Sequence, residues 1–371
     1  MSRIEGNPME NQLNKFKLRD RKISEKIITQ LKTMRLDINL MHVCGTHQDT
    51  IIKYGLESLF RKCGVNIRQG PGCPVCVTTQ KEIEECILLA RKNKTITVFG
   101  DMLKVPSLNG SLSDWKAKGC DIRIVYGIDD AVDIARNEKK DVVFMGIGFE
   151  TTSPTTAAVI LNKPPLNFYV LSCHRTVPPV LRTLIQLGEL KLDGIIEPGH
   201  VSTIIGARPY KFLSRDYHVP QVIAGFEPLD VMMGVYMLAK QICNGESKVE
   251  IEYTRSVKYE GNPKAIKIMY DVFETCDVAW RGFPVINGSG LKLRKRFKNH
   301  DARIVFKDEL KDIENVIFKE PKGCRCGDLL RGIIDSQECP LFRKVCTPQN
   351  PIGPCMVSSE GSCNIVYRYC K

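Results

Sequence analysis

Seven short stretches of the chain, at 38–43, 95–99, 122–126, 142–147, 168–172, 194–196 and 219–224, are apolar almost throughout. A strand with no polar face belongs inside a parallel sheet that is covered on both sides. Stretches with helical periodicity lie between them, at 80–91, 130–137, 178–187 and 229–242. Strand, helix and strand again is the βαβ signature. The pattern predicts an α/β fold with two parallel-sheet units that divide near residue 128. A first α/β domain would span 38–127 and a second 128–245. Residues 1–37 read as an N-terminal helical extension, polar and basic, with its periodicity at 23–34. From residue 246 the rhythm stops and glycine and proline thicken, so 246–371 is expected to be a C-terminal domain that needs a staple.

Composition removes several classes of function. At 43% hydrophobic and 26% charged residues, the 371-residue chain is globular and not disordered. Its longest apolar run, 142–149, falls far short of the roughly 20 residues a membrane span needs. The first thirty residues hold no apolar core of the secretory kind, so a cytoplasmic protein without a membrane role is expected. The formal charge of +12 permits nucleic-acid contact by count alone. Lysine and arginine are scattered, however, and no zinc-finger or RNP pattern surrounds them, so no nucleic-acid partner is expected. Gly146-Ile-Gly148 follows a strand but lacks the third glycine of a dinucleotide fingerprint.

Cysteine changes the picture. There are sixteen, and seven of them fall between Cys324 and Cys370. In a reducing compartment that density means metal, redox chemistry or both. Paired Cys-x-x-Cys knuckles would point to structural zinc, but here only Cys324 and Cys326 are close. Wide, irregular spacing beside glycine and proline fits an iron–sulfur cubane, with four of Cys324, Cys326, Cys339, Cys346, Cys355 and Cys363 as ligands. Zinc, or no metal, are the alternatives. Cys73-Pro-Val-Cys76, after Gly70-Pro-Gly72 and before the helical stretch at 80, has the form of a redox dithiol.

Cys44-Gly-Thr-His47 sits at the end of the first apolar stretch, where a parallel sheet exposes chemistry. With Cys73 and Cys76 it makes three thiols at sheet edges, which favours metal handling or dithiol exchange over an acyl-transfer nucleophile. Glu150, in Gly148-Phe-Glu-Thr-Thr152, and His200, in Pro198-Gly-His-Val-Ser202, end other strands and would wall the same cleft. Cys63, Cys86, Cys120, Cys173, Cys243 and Cys276 lack such settings and read as small buried residues. His174 carries a weaker signal, and His42, His218 and His300 weaker still.

These motifs, with Ala224-Gly-Phe-Glu-Pro-Leu229, Trp280-Arg-Gly282 and the segment from Cys355 to Cys363, resemble the HypD family of hydrogenase maturation factors. The resemblance runs over roughly 38–369. It implies two α/β domains and a C-terminal domain built around a [4Fe–4S] cluster, with Cys326, Cys339, Cys346 and Cys363 as its ligands and Cys324 as an extra. It also implies a scaffold on which iron acquires CO and two cyanides for [NiFe]-hydrogenases. A small HypC-type chaperone would share that iron, and HypE, served by HypF, would donate cyanide from a thiocyanate. Carried over, Cys44 would hold the iron, Cys73 and Cys76 would form the dithiol beside it, and His47, Glu150 and His200 would surround it. This chain departs from the family's habit at His42, where Glu is common, at Asp49, where a second His is common, and at Ala279, where an acidic residue often stands. The alternative function is an iron–sulfur disulfide oxidoreductase without a second iron.

Overall fold

The computed structural model describes residues 20–370. In chain order its strands are β1 (Ile38–His42), β2 (Val65–Gln69), β3 (Thr95–Phe99), β4 (Ile122–Val125), β5 (Val142–Gly148) and β6 (Phe168–His174), then β7 (Gly194–Pro198), β8 (Gln221–Ala224), β9 (Val249–Ile251), β10 (Phe273–Ala279) and β11 (Val285–Leu293). They form a five-stranded sheet ordered β2-β1-β7-β8-β9 and a four-stranded sheet ordered β4-β3-β5-β6, with β10 and β11 as a separate pair. Every pairing within the two larger sheets is parallel. The two parallel-sheet α/β units expected from the apolar runs are present.

The division at residue 128 does not hold. β3 pairs with β5, Thr95 opposite Val142 and Thr97 opposite Phe144, so a cut at 128 would run through the second sheet. The chain builds β1 and β2, leaves to make the whole second sheet, and returns with β7 between β1 and β8. Apolar runs reveal that a strand is buried, but they do not name its neighbour.

The helix expected near the N-terminus spans Arg21–Thr33, capped by the Asp20 carboxylate, which accepts from the amides of Lys22 at 2.8 Å and Ile23 at 3.2 Å. It is not an extension. Ile27 and Leu31, one turn apart, are buried in one core with Leu40 of β1 and with Met232 and Leu238 of the helix Pro228–Cys243. The remainder of the expected extension, 1–19, lies outside the described residues.

A self-contained C-terminal domain is not seen either. β9 pairs with β8, while Phe273, Leu291 and Leu293 of the hairpin share a core with Val142, Phe144 and Phe168. The Ser172 hydroxyl donates to the Leu291 carbonyl at 2.5 Å. The cysteine-rich segment is built into the interface between the sheets, with Leu330, Cys355, Met356 and Ile365 fully buried. Leu330, Cys355 and Met356 share one core with Met41 and Val43 of the first sheet and Met145 and Ile147 of the second. Among the described residues no helix is long and apolar enough to cross a membrane.

Because Leu31 is fully buried in the first core, Leu31→Ala should cost about 2–5 kcal/mol of unfolding free energy. Urea unfolding followed by circular dichroism measures it. An unchanged midpoint would mean that the helix is the appendage its sequence suggested.

Candidate functional site

Each sheet has one place where the chain's direction of winding reverses: between β1 and β7 in the first, and between β3 and β5 in the second. Ligands in open α/β sheets bind outside the carboxyl ends of the strands at such points. Cys44 follows β1, Gly199 and His200 follow β7, Asp101 follows β3, and Glu150 follows β5. The fold therefore brings the motifs to both reversal points, and the cysteine-rich segment joins them. The Asp101 carboxylate accepts from the Ser358 hydroxyl at 3.1 Å and the Ser359 amide at 3.0 Å.

Cys44 caps the helix Gly45–Lys53 and is 8% exposed. Burial and the Glu360 carboxyl push its thiol up to about 11, against the opposing pull of the His47 and Thr46 amides. Glu360 packs against the same turn, since a Cβ on Gly45 would sit 2.5 Å from that of Glu360. Its own carboxyl is pushed up by burial and by Asp101. The thiol is thus neutral near pH 7, and a cation beside it would favour the thiolate.

The Cys73 loop lies directly against Cys44. A Cβ on Gly72 would stand 2.3 Å from the Cys44 nitrogen, so only glycine permits this approach. Cys73 and Cys76 are joined by a disulfide with Cα atoms 5.3 Å apart, and neither residue is exposed. The Trp280-Arg-Gly282 motif braces this turn. The Arg281 amide donates to the Val77 carbonyl at 2.9 Å, and its guanidinium donates to the Thr78 carbonyl at 3.0 Å. Gly282, at φ +80°, backs onto Gly327, where a Cβ would come within 2.3 Å of the Gly327 Cα. The dithiol turn is thereby tied to Cys326.

Of the histidines, His47 donates from Nε2 to the carbonyls of Gly225 at 2.9 Å and Ala224 at 3.2 Å. That fixes its tautomer, and its Nδ1 is buried without a partner. Burial, with His42 and His200 nearby, lowers its pKa to about 3. His42, given little weight from sequence, is fully buried with its ring 6.3 Å from that of His47. His200 is exposed and stacks on Phe226 with ring centroids 3.8 Å apart, and the Phe226 ring lies 5.1 Å from that of His47. His174 belongs elsewhere, bonded to Thr156 at 3.0 Å on the second sheet.

Glu150 is 2% exposed. One carboxyl oxygen accepts from the Val177 amide at 3.0 Å and the other has no partner. Burial raises its pKa to about 8. Glu197, not singled out from the sequence although it opens the Pro198-Gly-His200 motif, is fully buried with both oxygens unpartnered. Burial pushes it well above the carboxylate range. Tyr210 links the group: burial raises its phenol, and Glu197, Glu150 and Cys44 all act on it. Glu197, Tyr210 and Glu360 were missed because a buried carboxyl or phenol is recognised by what surrounds it. The sequence offered only their places inside or near the motifs.

Five thiols, those of Cys324, Cys326, Cys339, Cys346 and Cys363, line one small pocket with Leu329, Ile334, Phe342 and Met356. A Cβ on Gly353 would sit 2.6 Å from the sulfurs of both Cys324 and Cys326, so glycine keeps that wall open. The Ile352 amide donates to the Cys346 sulfur at 3.4 Å. The Cys326 thiol acts on those of both Cys324 and Cys355, raising the first and opposing the rise of the second. Soft donors, a dry wall and an amide aimed at sulfur suit an iron–sulfur cluster. Among the described residues no group of three or more His, Cys, Asp or Glu stands arranged to hold a metal ion.

Comparison with known proteins agrees with these features. The family model described as HypD, hydrogenase formation hypA family, matches residues 19–370. A hydrogenase expression/formation protein of Methanocaldococcus jannaschii is 48% identical over 359 residues, covering 95% of this chain and 98% of the relative. The hydrogenase maturation factors HypD of Rhodobacter capsulatus and of Escherichia coli are 40% and 41% identical, each over 91% of this chain and 90% of their own.

The elevated Glu150 pKa has a consequence for stability. The carboxyl holds its proton in the folded chain up to about pH 8 but loses it near 4.5 when unfolded. Its contribution is therefore complete below pH 4.5 and is lost as pH rises to about 8. The Tm should fall across that window, and Glu150→Gln, which keeps the bond from Val177, should flatten the fall. Parallel pH dependence in the two proteins would show that the buried group is ionised.

Proposed function

The chain belongs to the HypD family of hydrogenase maturation factors, and from that membership we propose that it is the scaffold on which iron receives cyanide and CO for [NiFe]-hydrogenase assembly. The apposition of Gly72 and Cys44 carries this reading, because it packs the backbone that bears a lone thiol against the turn that bears a two-electron dithiol.

In this reading iron is cargo. Cys44 binds it as thiolate, the cation itself displacing the proton, and a small HypC-type chaperone supplies a further ligand. Low-spin iron with π-acceptor ligands suits a soft donor of this kind. The bare Nδ1 of His47, too weak a base at a pKa of about 3 to hold that proton, remains a hydrogen-bond acceptor beside the site.

Cyanide would come from a thiocyanate on a HypE-type partner served by HypF. Cleaving the S–CN bond consumes two electrons and one proton, and leaves cyanide and the partner's thiol. Cys73 and Cys76, when reduced, supply the two electrons and two protons as their disulfide closes. Glu150, neutral at pH 7, can hold or return a proton at the cleft. Four of the five pocket thiols would hold a [4Fe–4S] cluster: Cys339, Cys346 and Cys363 with either Cys326 or Cys324. Such a cluster supplies electrons singly when bound. The family resemblance favours Cys326, while the sulfurs of Cys324 and Cys326 stand equally close to Gly353 in the pocket wall, which gives Cys324 an equal claim.

Protein purified anaerobically with its small chaperone should be brown and carry about four irons and four sulfides, plus one further iron. Cys346→Ala should lose the colour. Cys73→Ala should keep the cluster while ending maturation. A brown protein whose iron never exceeds the cluster's would instead be a disulfide oxidoreductase, and a colourless one with zinc would overturn the cluster.

A further inference from the structure

A line of buried polar side chains runs from the β1 exit to the cysteine pocket. The His42 Nε2–H donates to the Gln48 Oε1 at 2.7 Å, which leaves the His42 Nδ1 bare. The Gln48 amide donates to the Ser362 hydroxyl oxygen at 3.2 Å. The Ser336 hydroxyl also donates to Ser362, at 3.0 Å, and Ser336 acts on the neighbouring Cys363 thiol, opposing the rise that burial imposes on it. All five residues are at most 8% exposed. With the Gln48 amide in this orientation the first two links run in one sense, because its oxygen accepts and its nitrogen donates.

We propose that His42, Gln48, Ser362 and Ser336 are positioning residues that couple the charge on a cluster-bound Cys363 to the imidazole beside Cys44. The inference rests on the reading of the cysteine pocket as a cluster site. With Cys363 as a thiol, the Ser336 hydroxyl is free to point at Ser362, as it does here. With the sulfur bound to iron and carrying negative charge, that hydroxyl turns to the sulfur. The Ser362 hydroxyl then turns to Ser336. Every hydrogen from His42 onward now points toward Cys363, and such chains strengthen cooperatively in a low-dielectric interior. Electron density gathered on the sulfur would draw on the His42 Nε2–H and enrich its bare Nδ1, beside the cargo thiol. The route is separate from the Cys73–Cys76 turn, which contributes no atom to it.

Hydrogen bonds to a cluster sulfur stabilise its reduced state, so the midpoint potential reads the chain from its far end. Redox titration of the visible and EPR signals should be made on the full chain, as wild type, Ser336→Ala, Gln48→Leu and the double variant. Both single variants should be more negative than wild type. The double variant should match Ser336→Ala, because once the last link is gone the earlier ones no longer reach the sulfur. A Gln48→Leu potential equal to that of the wild type, or additive shifts in the double variant, would overturn the coupling while leaving the cluster reading intact. Wild-type protein that takes up no cluster when reconstituted with iron and sulfide would overturn both. Should Gln48→Leu fail to fold, Gln48→Glu removes the amide donor with little change of shape and is expected to shift the potential in the same direction.

Discussion

The backbones of Gly72 and Cys44 are in such close contact that no side chain can stand between them. Much of the site depends on that contact and on others like it. Gly282 lies against Gly327, and Gly361 against the carbonyl of Cys355. Each of these glycines removes a Cβ that would otherwise hold two segments apart. Together they join the end of β1, the dithiol turn and the cysteine-rich segment, which come from distant parts of the chain. What resembled three separate cysteine motifs is one buried assembly between two sheets.

Burial then sets the chemistry. Desolvation raises the thiol of Cys44 and the carboxyls of Glu150 and Glu197, and it lowers the imidazoles of His42 and His47. Near neutral pH these groups are therefore uncharged. They are costly to ionise one at a time, yet the arrival of a metal cation reverses that preference at the thiol. In the proposed reading, such a site would release a proton from the thiol when iron binds. Unpartnered oxygens and nitrogens on Glu197, Glu150, His42 and His47 keep hydrogen-bonding capacity available in the same region.

The sequence was most legible where burial is two-sided. β3 and the helix Gln80–Arg91 fall on the predicted residues, and β5 and β6 differ only at their ends. β2 was missed because it is an edge strand with polar, partly exposed residues such as Asn66 and Arg68. The β10–β11 pair was missed because β10, after the buried Phe273, alternates between half-buried and exposed positions instead of running apolar throughout. Strand order was not legible at all, and so the boundary at 128 was misplaced. Cys44, His47, Glu150 and His200 could be named because they follow closely on apolar strands. Gln48, Glu197, Tyr210 and Glu360 could not, since their meaning lies in contacts such as the one between Gln48 and Ser362, 314 positions apart.

The central claim is that Cys44 holds the iron that acquires cyanide and CO. Infrared spectroscopy of the protein isolated anaerobically with its small chaperone tests it most directly. The account predicts cyanide and carbonyl stretching bands in the wild type. It predicts their loss in Cys44→Ala and near loss in Cys44→Ser, whose hydroxyl is a hard, high-pKa donor, with the cluster absorption retained in both. Bands of normal intensity in the Cys44→Ala protein would contradict it.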